Sequence, residues 1–193
     1  MYEYFSGTFT EKNPTYVVLE NQGIGYMINI SLNTFEKIKN QEQGKLFVHY
    51  VVREDAQLLY GFADAAERML FRALISVSGV GANTARLVLS SLTTSEAYEA
   101  ISSGNAGRLQ SVKGIGGKTA QRIVVDLKDK IAKEGFVTEN LVFSHNTIQQ
   151  EALSGLLILG FNKSVASKAI EKVMKQSTVN SVEGLIKESL KIL

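Results

Sequence analysis

Two stretches decide the fold. Leu74-Ile-Ser-Val-Ser-Gly-Val-Gly-Ala-Asn-Thr-Ala-Arg-Leu-Val-Leu89 is echoed by Leu109-Gln-Ser-Val-Lys-Gly-Ile-Gly-Gly-Lys-Thr-Ala-Gln-Arg-Ile-Val124. Aligned on Gly79 and Gly114, both read Ser-Val-x-Gly-[Val/Ile]-Gly-x-x-Thr-Ala, at an offset of 35 residues. That is the pattern of a tandem helix–hairpin–helix unit. Two glycines one residue apart let the backbone turn tightly with positive φ. The apolar residue between them, Val80 or Ile115, is expected to point back into its helix pair. The following helix then opens with unpaired N–H groups and the positive end of its dipole. Such a junction suits a phosphate oxygen. Lys118 and Arg122 stand one turn apart on the second helix and share a face. One copy is equally compatible with a plain αα-corner. Two copies with the same flanking Thr-Ala point to nucleic-acid backbone binding.

Charge supports the middle of the chain as the binding region. The 193 residues carry a net +2, unevenly spread. Residues 1–63 hold 5 Lys/Arg against 7 Asp/Glu, residues 64–134 hold 10 against 7, and residues 135–193 hold 6 against 5. Every arginine except Arg53 lies in the middle segment, and the planar guanidinium fork suits phosphate. The absence of cysteine excludes disulfides, iron–sulfur clusters and a thiol nucleophile. With only His49 and His145, there is little material for a histidine metal site or triad. No cofactor and no metal are expected. No apolar run approaches the roughly 18 residues of a membrane span. The opening MYEYFSGTFTEK has neither a basic nor an apolar signal region. A cytoplasmic protein without a membrane partner is the expectation.

Upstream of the repeat, the first 63 residues read as β. Alternating or β-branched runs recur at Tyr2–Thr8, Thr15–Glu20, Gly25–Ile30, Lys45–Val52 and Gln57–Phe62. Turn residues separate them at Lys12-Asn13-Pro14, Asn21-Gln22-Gly23, Gln41–Gly44 and Glu54-Asp55. Five such strands predict a small closed barrel, because a sheet of this size must hide its edges. Thr34–Lys39 fits a short helix between strands three and four. The pattern is that of an OB-fold, but it does not separate one from an SH3-like barrel.

At Asp64 the period becomes helical. Asp64-Ala-Ala-Glu67 reads as a capping box, with Met69, Leu70, Ala73, Leu74 and Val77 following at helical spacing. Thr93-Thr-Ser-Glu96, Thr147-Ile-Gln-Gln150 and Asn180-Ser-Val-Glu183 read as further helix starts. Residues 135–146 lack a period and read as a flexible linker. Three amphipathic stretches at 148–159, 164–174 and 181–192 predict a small three-helix domain, marginally stable alone. The fold class is therefore α+β and multidomain. Residues 1–63 form the barrel, 64–134 the helix–hairpin–helix region and 147–193 the C-terminal helical domain.

Other motifs carry weaker chemical signals. Gly116-Gly117-Lys118-Thr119 ends like a nucleotide-binding P-loop, but position 112, where that loop needs glycine, is Val112. Neither hairpin completes Gly-x-Gly-x-x-Gly, since Thr84 and Thr119 occupy the last position. Glu54 and Asp55 sit at a hairpin tip between apolar strands. They read as a solvated turn, as a metal-binding carboxylate pair, or as a repulsive element facing phosphates. A glycosylase or nuclease anchored by the hairpins would need an Asp downstream and a large helical domain with a base pocket. Asp126 and Asp129 lie among Lys128 and Lys130 and read as a solvated face. An adaptor that binds only protein is the other alternative.

Taken together, the barrel, two hairpins, linker and small helical domain resemble the RuvA family along the whole chain. These are the Holliday-junction-binding subunits of the bacterial RuvAB branch-migration complex. The most specific stretches are Val51–Phe62, the paired hairpins, and Glu151-Ala to Leu156-Leu-Ile-Leu-Gly-Phe161. The resemblance implies an OB-fold barrel that builds a homotetramer, alone or as a double tetramer. It implies a C-terminal domain of UBA-like type. The tetramer would hold a four-way DNA junction open and square-planar without reading sequence. Gly79, Gly81, Asn83, Gly114, Gly116, Lys118 and Arg122 match the family's phosphate-binding positions. Glu54 and Asp55 match its acidic pin at the crossover. Residues 147–193 match the domain that docks on the hexameric AAA+ motor RuvB, with Leu156, Leu159 and Phe161 where the apolar contact falls. Those three are equally placed to be the domain's own core. The RuvC resolvase is a further implied partner, and the setting is recombination, DNA repair and the SOS response. ATP hydrolysis would belong to the motor, leaving this chain non-catalytic. The sequence departs from the family in two places. Asn83 stands where many members carry a basic residue, and Gly117 where lysine is common. A shallower salt dependence of DNA binding follows.

Overall fold

The computed structural model describes residues 2–133, 148–176 and 181–193. The linker expected at 135–146 and the helix starts expected at Thr147 and Asn180 lie outside them. The chain forms two compact units, Met1–Thr138 and Glu139–Leu193.

The first unit begins with β1 (Tyr4–Asn13), β2 (Tyr16–Asn21), β3 (Ile24–Ile30), α1 (Leu32–Ile38), β4 (Gln43–Val52) and β5 (Gln57–Phe62). They close into a barrel in the order β1-β2-β3-β5-β4, with β1 also pairing β4. β3 and β5 run parallel and the other pairs antiparallel. This order, with a helix between β3 and β4, makes the barrel an OB-fold. Phe9, Leu19, Ile28, Leu46 and Val48 alternate inward and fill it.

Strand β1 runs five residues past the predicted Tyr2–Thr8, through Lys12-Asn13, which the sequence marked as turn. Closure explains the length. Residues Tyr4 to Thr8 pair β4 and residues Thr8 to Asn13 pair β2, with a register shift between Phe9 and Glu11. Such a bulge bends a strand so that it serves two neighbours. Glu11 and Lys12 face solvent, so composition hides the extension.

The helices of this unit are α2 (Ala65–Ile75), α3 (Ala82–Ser91), α4 (Thr94–Ser102), α5 (Ala106–Gln110) and α6 (Gly117–Lys133). Thr93 and Glu96 form the predicted reciprocal capping box on α4. At α2 only half of the expected box exists. Asp64 accepts from the Glu67 N–H at 2.7 Å, but the Glu67 side chain does not reach back. It is fully buried and accepts from the Ser31 and Thr34 hydroxyls, the latter at 2.7 Å. The Thr34 hydroxyl in turn accepts from the Ala63 N–H at 3.0 Å, and Lys37 pairs with Asp64. Tertiary partners outcompete the local cap because a buried carboxylate needs donors. Burial pushes the Glu67 carboxyl up from its ordinary value, against the two hydroxyl bonds. Barrel and helices also share a core. Phe71 packs on Tyr60 and Phe62 with ring centroids 5.2 and 4.9 Å apart.

The second unit contains α7 (Ile148–Ile158), α8 (Lys163–Gln176) and α9 (Val182–Leu190). Ala152, Leu156, Ala166, Ile170, Val173 and Leu185 make its core. The Ser181 side chain caps α9 by accepting from the Gly184 N–H.

Candidate nucleic-acid interface

The two hairpins are built by the same backbone bonds. Val77 donates to the Leu74 carbonyl, Val80 to Val77 and Ala85 to Gly81. At the 35-residue offset, Val112 donates to Leu109, Ile115 to Val112 and Ala120 to Gly116. Val80 and Ile115 are buried in their helix pairs, as the spacing predicts. The glycines divide their work differently from the expectation. Only the first of each pair has positive φ, +89° at Gly79 and +90° at Gly114. Gly81 is extended, with φ −84° and ψ 168°, and Gly116 also stays out of the positive region. A Cβ on Gly81 or Gly116 would meet nothing within 4 Å. Nothing inside the chain therefore requires glycine at these second positions. What they leave is open space over backbone amides at a helix start. Helices α1, α2, α4, α5 and α9 each have a side-chain cap, from Ser31, Asp64, Thr93, Asn105 and Ser181. Helix α3 has none, so its first N–H groups are available to an external acceptor.

The hairpins differ in charge. Lys113, Lys118 and Arg122 of the second correspond to Ser78, Asn83 and Leu87 of the first. All three cations are exposed. Arg122 also donates to the Ser78 carbonyl at 3.2 Å, tying one hairpin loop to the other. Asn83 is exposed, and its Oδ1 accepts from the Tyr60 hydroxyl of β5 at 3.2 Å. Lys113 lies just before Gly114, outside the Gly-x-Gly pattern, which does not mark it.

The concentration of arginine in the middle segment has another explanation than phosphate. Arg68 is buried and pairs with Glu3 at 2.5 Å, while Arg72 approaches the same carboxylate at 3.8 Å. The Arg68 guanidinium, followed by the fields of Arg68 and Arg72, holds the Glu3 carboxyl below its ordinary value. Arg86 donates to the Thr15 carbonyl and Asn29 Oδ1, and Arg108 pairs with Glu96 at 2.9 Å. Arg68, Arg72 and Arg86 thus tie the helices to the barrel segment, and Arg108 ties α5 to α4. The five-donor fork serves backbone carbonyls and carboxylates of the chain as readily as external phosphate.

Glu54 and Asp55 lie exposed at the tip of the β4–β5 hairpin, where the Arg53 N–H bonds the Ala56 carbonyl. Among the described residues no group of three His, Cys, Asp or Glu side chains comes together to hold a metal. Asp126 and Asp129 are exposed on α6. No helix among the described residues is long and apolar enough to cross a membrane.

In the second unit the three expected apolar contact residues separate. Leu156 is 0% exposed and is core. Assigning it to a partner surface is corrected by that burial. Phe161 is half-buried against the same core. Leu159 is 58% exposed, and Ile158, which the sequence reading passed over, is 86% exposed. Helical spacing placed all of them on one stretch, but only packing against α8 and α9 tells inside from outside.

Three family profiles match consecutive parts of the chain. "RuvA N terminal domain" covers residues 1–61, "SAM-like Helix-hairpin-helix tandem" residues 71–129, and "RuvA, C-terminal domain" residues 147–193. Among similar curated proteins, one from Christiangramia forsetii is 52% identical over 193 residues. One from Flavobacterium psychrophilum is 44% identical over 193 residues, and one from Bacteroides fragilis 45% over 201. Each match spans the whole of both chains, and each relative is named "Holliday junction branch migration complex subunit RuvA".

Proposed function

The chain belongs to the RuvA family, and we propose that it binds four-way DNA junctions through their phosphates, without reading sequence, as the non-catalytic subunit of a branch-migration complex. One observation carries this reading. Two hairpins built by the same backbone bonds each present helix-start amides under a glycine whose missing side chain nothing in the chain demands. Backbone amides and lysines grip phosphates and leave bases unread. A junction that must move along DNA requires that indifference.

Residues 1–63 act as the assembly domain of a homotetramer, 64–134 as the DNA-binding domain, and 147–193 as the dock for the RuvB motor, joined through 135–146. Four subunits place eight hairpins around one junction, so weak single contacts sum through avidity. The tetramer holds the junction square-planar on one face, with Glu54 and Asp55 at its centre. Their charges repel phosphates and keep the crossover open. ATP hydrolysis resides in the motor, and the exposed Ile158 and Leu159 with the edge of Phe161 offer that partner an apolar patch. A double tetramer and the RuvC resolvase complete the expected assembly, in the cytoplasm.

The test is a competition gel shift between a synthetic four-way junction and linear duplex of equal mass, with Mg²⁺ and without ATP. A strong junction preference is expected. Equal binding to both reduces the hairpins to generic DNA anchors. No binding to either overturns the reading in favour of a protein-only adaptor.

A further inference from the structure

The two hairpins share a backbone but not a chemistry. The second has Lys113, Lys118 and Arg122, while the first has Ser78, Asn83 and Leu87 at the same positions. A phosphate at the first hairpin therefore meets no cation from these positions. Its side-chain partner is the Asn83 amide, in the first turn of α3. An amide is useful there only if its N–H₂ faces outward, since the carbonyl oxygen would repel a phosphate. An isolated exposed asparagine samples both orientations.

The barrel removes that ambiguity. Tyr60 is 1% exposed, with its ring packed on Phe71. A buried phenol needs a hydrogen-bond partner, and the Tyr60 hydroxyl donates to Asn83 Oδ1 at 3.2 Å. With Oδ1 held by Tyr60, the other arm of the amide, Nδ2, is left to an outside acceptor on this exposed residue. Tyr60 lies on β5, the strand that descends from the Glu54-Asp55 tip.

We propose that Tyr60 is a positioning residue, which holds Asn83 with its N–H₂ turned outward as the neutral phosphate donor of the first hairpin. This rests on the junction-binding reading above and deepens it. The consequence is a division of labour. The cations of the second hairpin, including Arg122 where it reaches the Ser78 carbonyl of the first, supply the salt-sensitive attraction, and the Asn83 amide supplies a contact that releases no counterion and so does not respond to salt. The neighbouring bonds serve the same rigidity. Asn33 of α1 donates to the Leu89 and Leu92 carbonyls at 2.6 and 2.8 Å, and Arg86 ties α3 to β3 through Asn29.

The experiment measures binding of the full chain and its Tyr60→Phe, Asn83→Ala and double variants to a synthetic four-way junction across a salt series. Thermal denaturation of each variant runs in parallel. Tyr60→Phe keeps the packed ring and removes only the hydroxyl. Each single variant is expected to weaken binding about 2- to 10-fold per hairpin with an unchanged salt slope. The melting temperature should stay near the parent's in Tyr60→Phe and in the double variant, and fall in Asn83→Ala, which leaves the buried Tyr60 hydroxyl without its acceptor. The double variant should be no weaker than Asn83→Ala alone. Lys118→Gln, as the contrast, should lower the salt slope by about one per site. Additive losses in the double variant, or an Asn83→Ala variant that binds like the parent, overturn the proposal. So does a Tyr60→Phe loss that persists in the Asn83→Ala background. Failure of the parent chain to bind any junction or duplex refutes the junction-binding reading itself, a separate outcome.

Discussion

Replacing glycine by alanine at the two kinds of hairpin position separates folding from binding. At Gly79 and Gly114, φ is +89° and +90°. An L-residue there incurs strain of about 1–2 kcal/mol. The smaller unfolded-state entropy of alanine offsets about 0.4–1 kcal/mol of it. The net loss is about 1 kcal/mol per site, or about 3–5 °C in the melting midpoint for a unit of this size. At Gly81, φ is −84°, and the added methyl at either Gly81 or Gly116 meets open space. Strain is absent, and the entropy effect leaves the midpoint unchanged or slightly raised. That same methyl occupies the approach to the α3 and α6 amides, where a phosphate oxygen must come to about 2.9 Å. A hydrogen bond to a charged group is worth about 1.5–3 kcal/mol, so each blocked contact weakens binding roughly 10- to 100-fold. Calorimetry and a junction gel shift on Gly79→Ala/Gly114→Ala and Gly81→Ala/Gly116→Ala read both quantities. A Gly81→Ala/Gly116→Ala protein that is fully folded and binds junctions like the parent would refute the argument that these glycines make room for DNA.

Glu54→Gln/Asp55→Asn should preserve or strengthen junction binding and alter motor-driven migration; loss of binding in a gel shift would show that the acids act otherwise. Leu156→Ala should destabilise the C-terminal unit by about 2–5 kcal/mol. Leu159→Ala should shift its stability by no more than about 0.5 kcal/mol while weakening motor capture, and denaturation with pull-down against the motor distinguishes them. Glu67 titrates above its ordinary value because of burial. The folded state therefore holds the proton more tightly, and its contribution to stability is present below about pH 4.5 and lost as pH rises through the folded value. Glu67→Gln should gain stability relative to the parent between pH 5 and pH 7.5; equal differences in urea midpoint at both pH values would contradict the sign.

Much of this molecule was legible from local pattern. The Ser-Val-x-Gly-x-Gly repeat foretold both hairpins, because a tight turn followed by a helix is dictated by residues in contact along the chain. The Thr93-Glu96 box held for the same reason, as did the burial of Val80 and Ile115. Five short β runs foretold a barrel. Its OB identity waited for the parallel β3–β5 pairing, which joins residues about thirty positions apart. The failures share one cause. Glu67 abandoned its cap for Ser31 and Thr34, and four arginines took partners within the chain, at Glu3, Thr15, Asn29 and Glu96. Leu156 and Leu159 have the same character in the sequence and opposite environments in the domain. The bond from Tyr60 to Asn83 crosses from barrel to hairpin and has no trace in either segment. Residue type and spacing set what the backbone does within a few residues. Which polar group meets which donor, and which leucine meets water, depends on neighbours brought together by folding, because desolvation acts on the assembled surface and not on the chain.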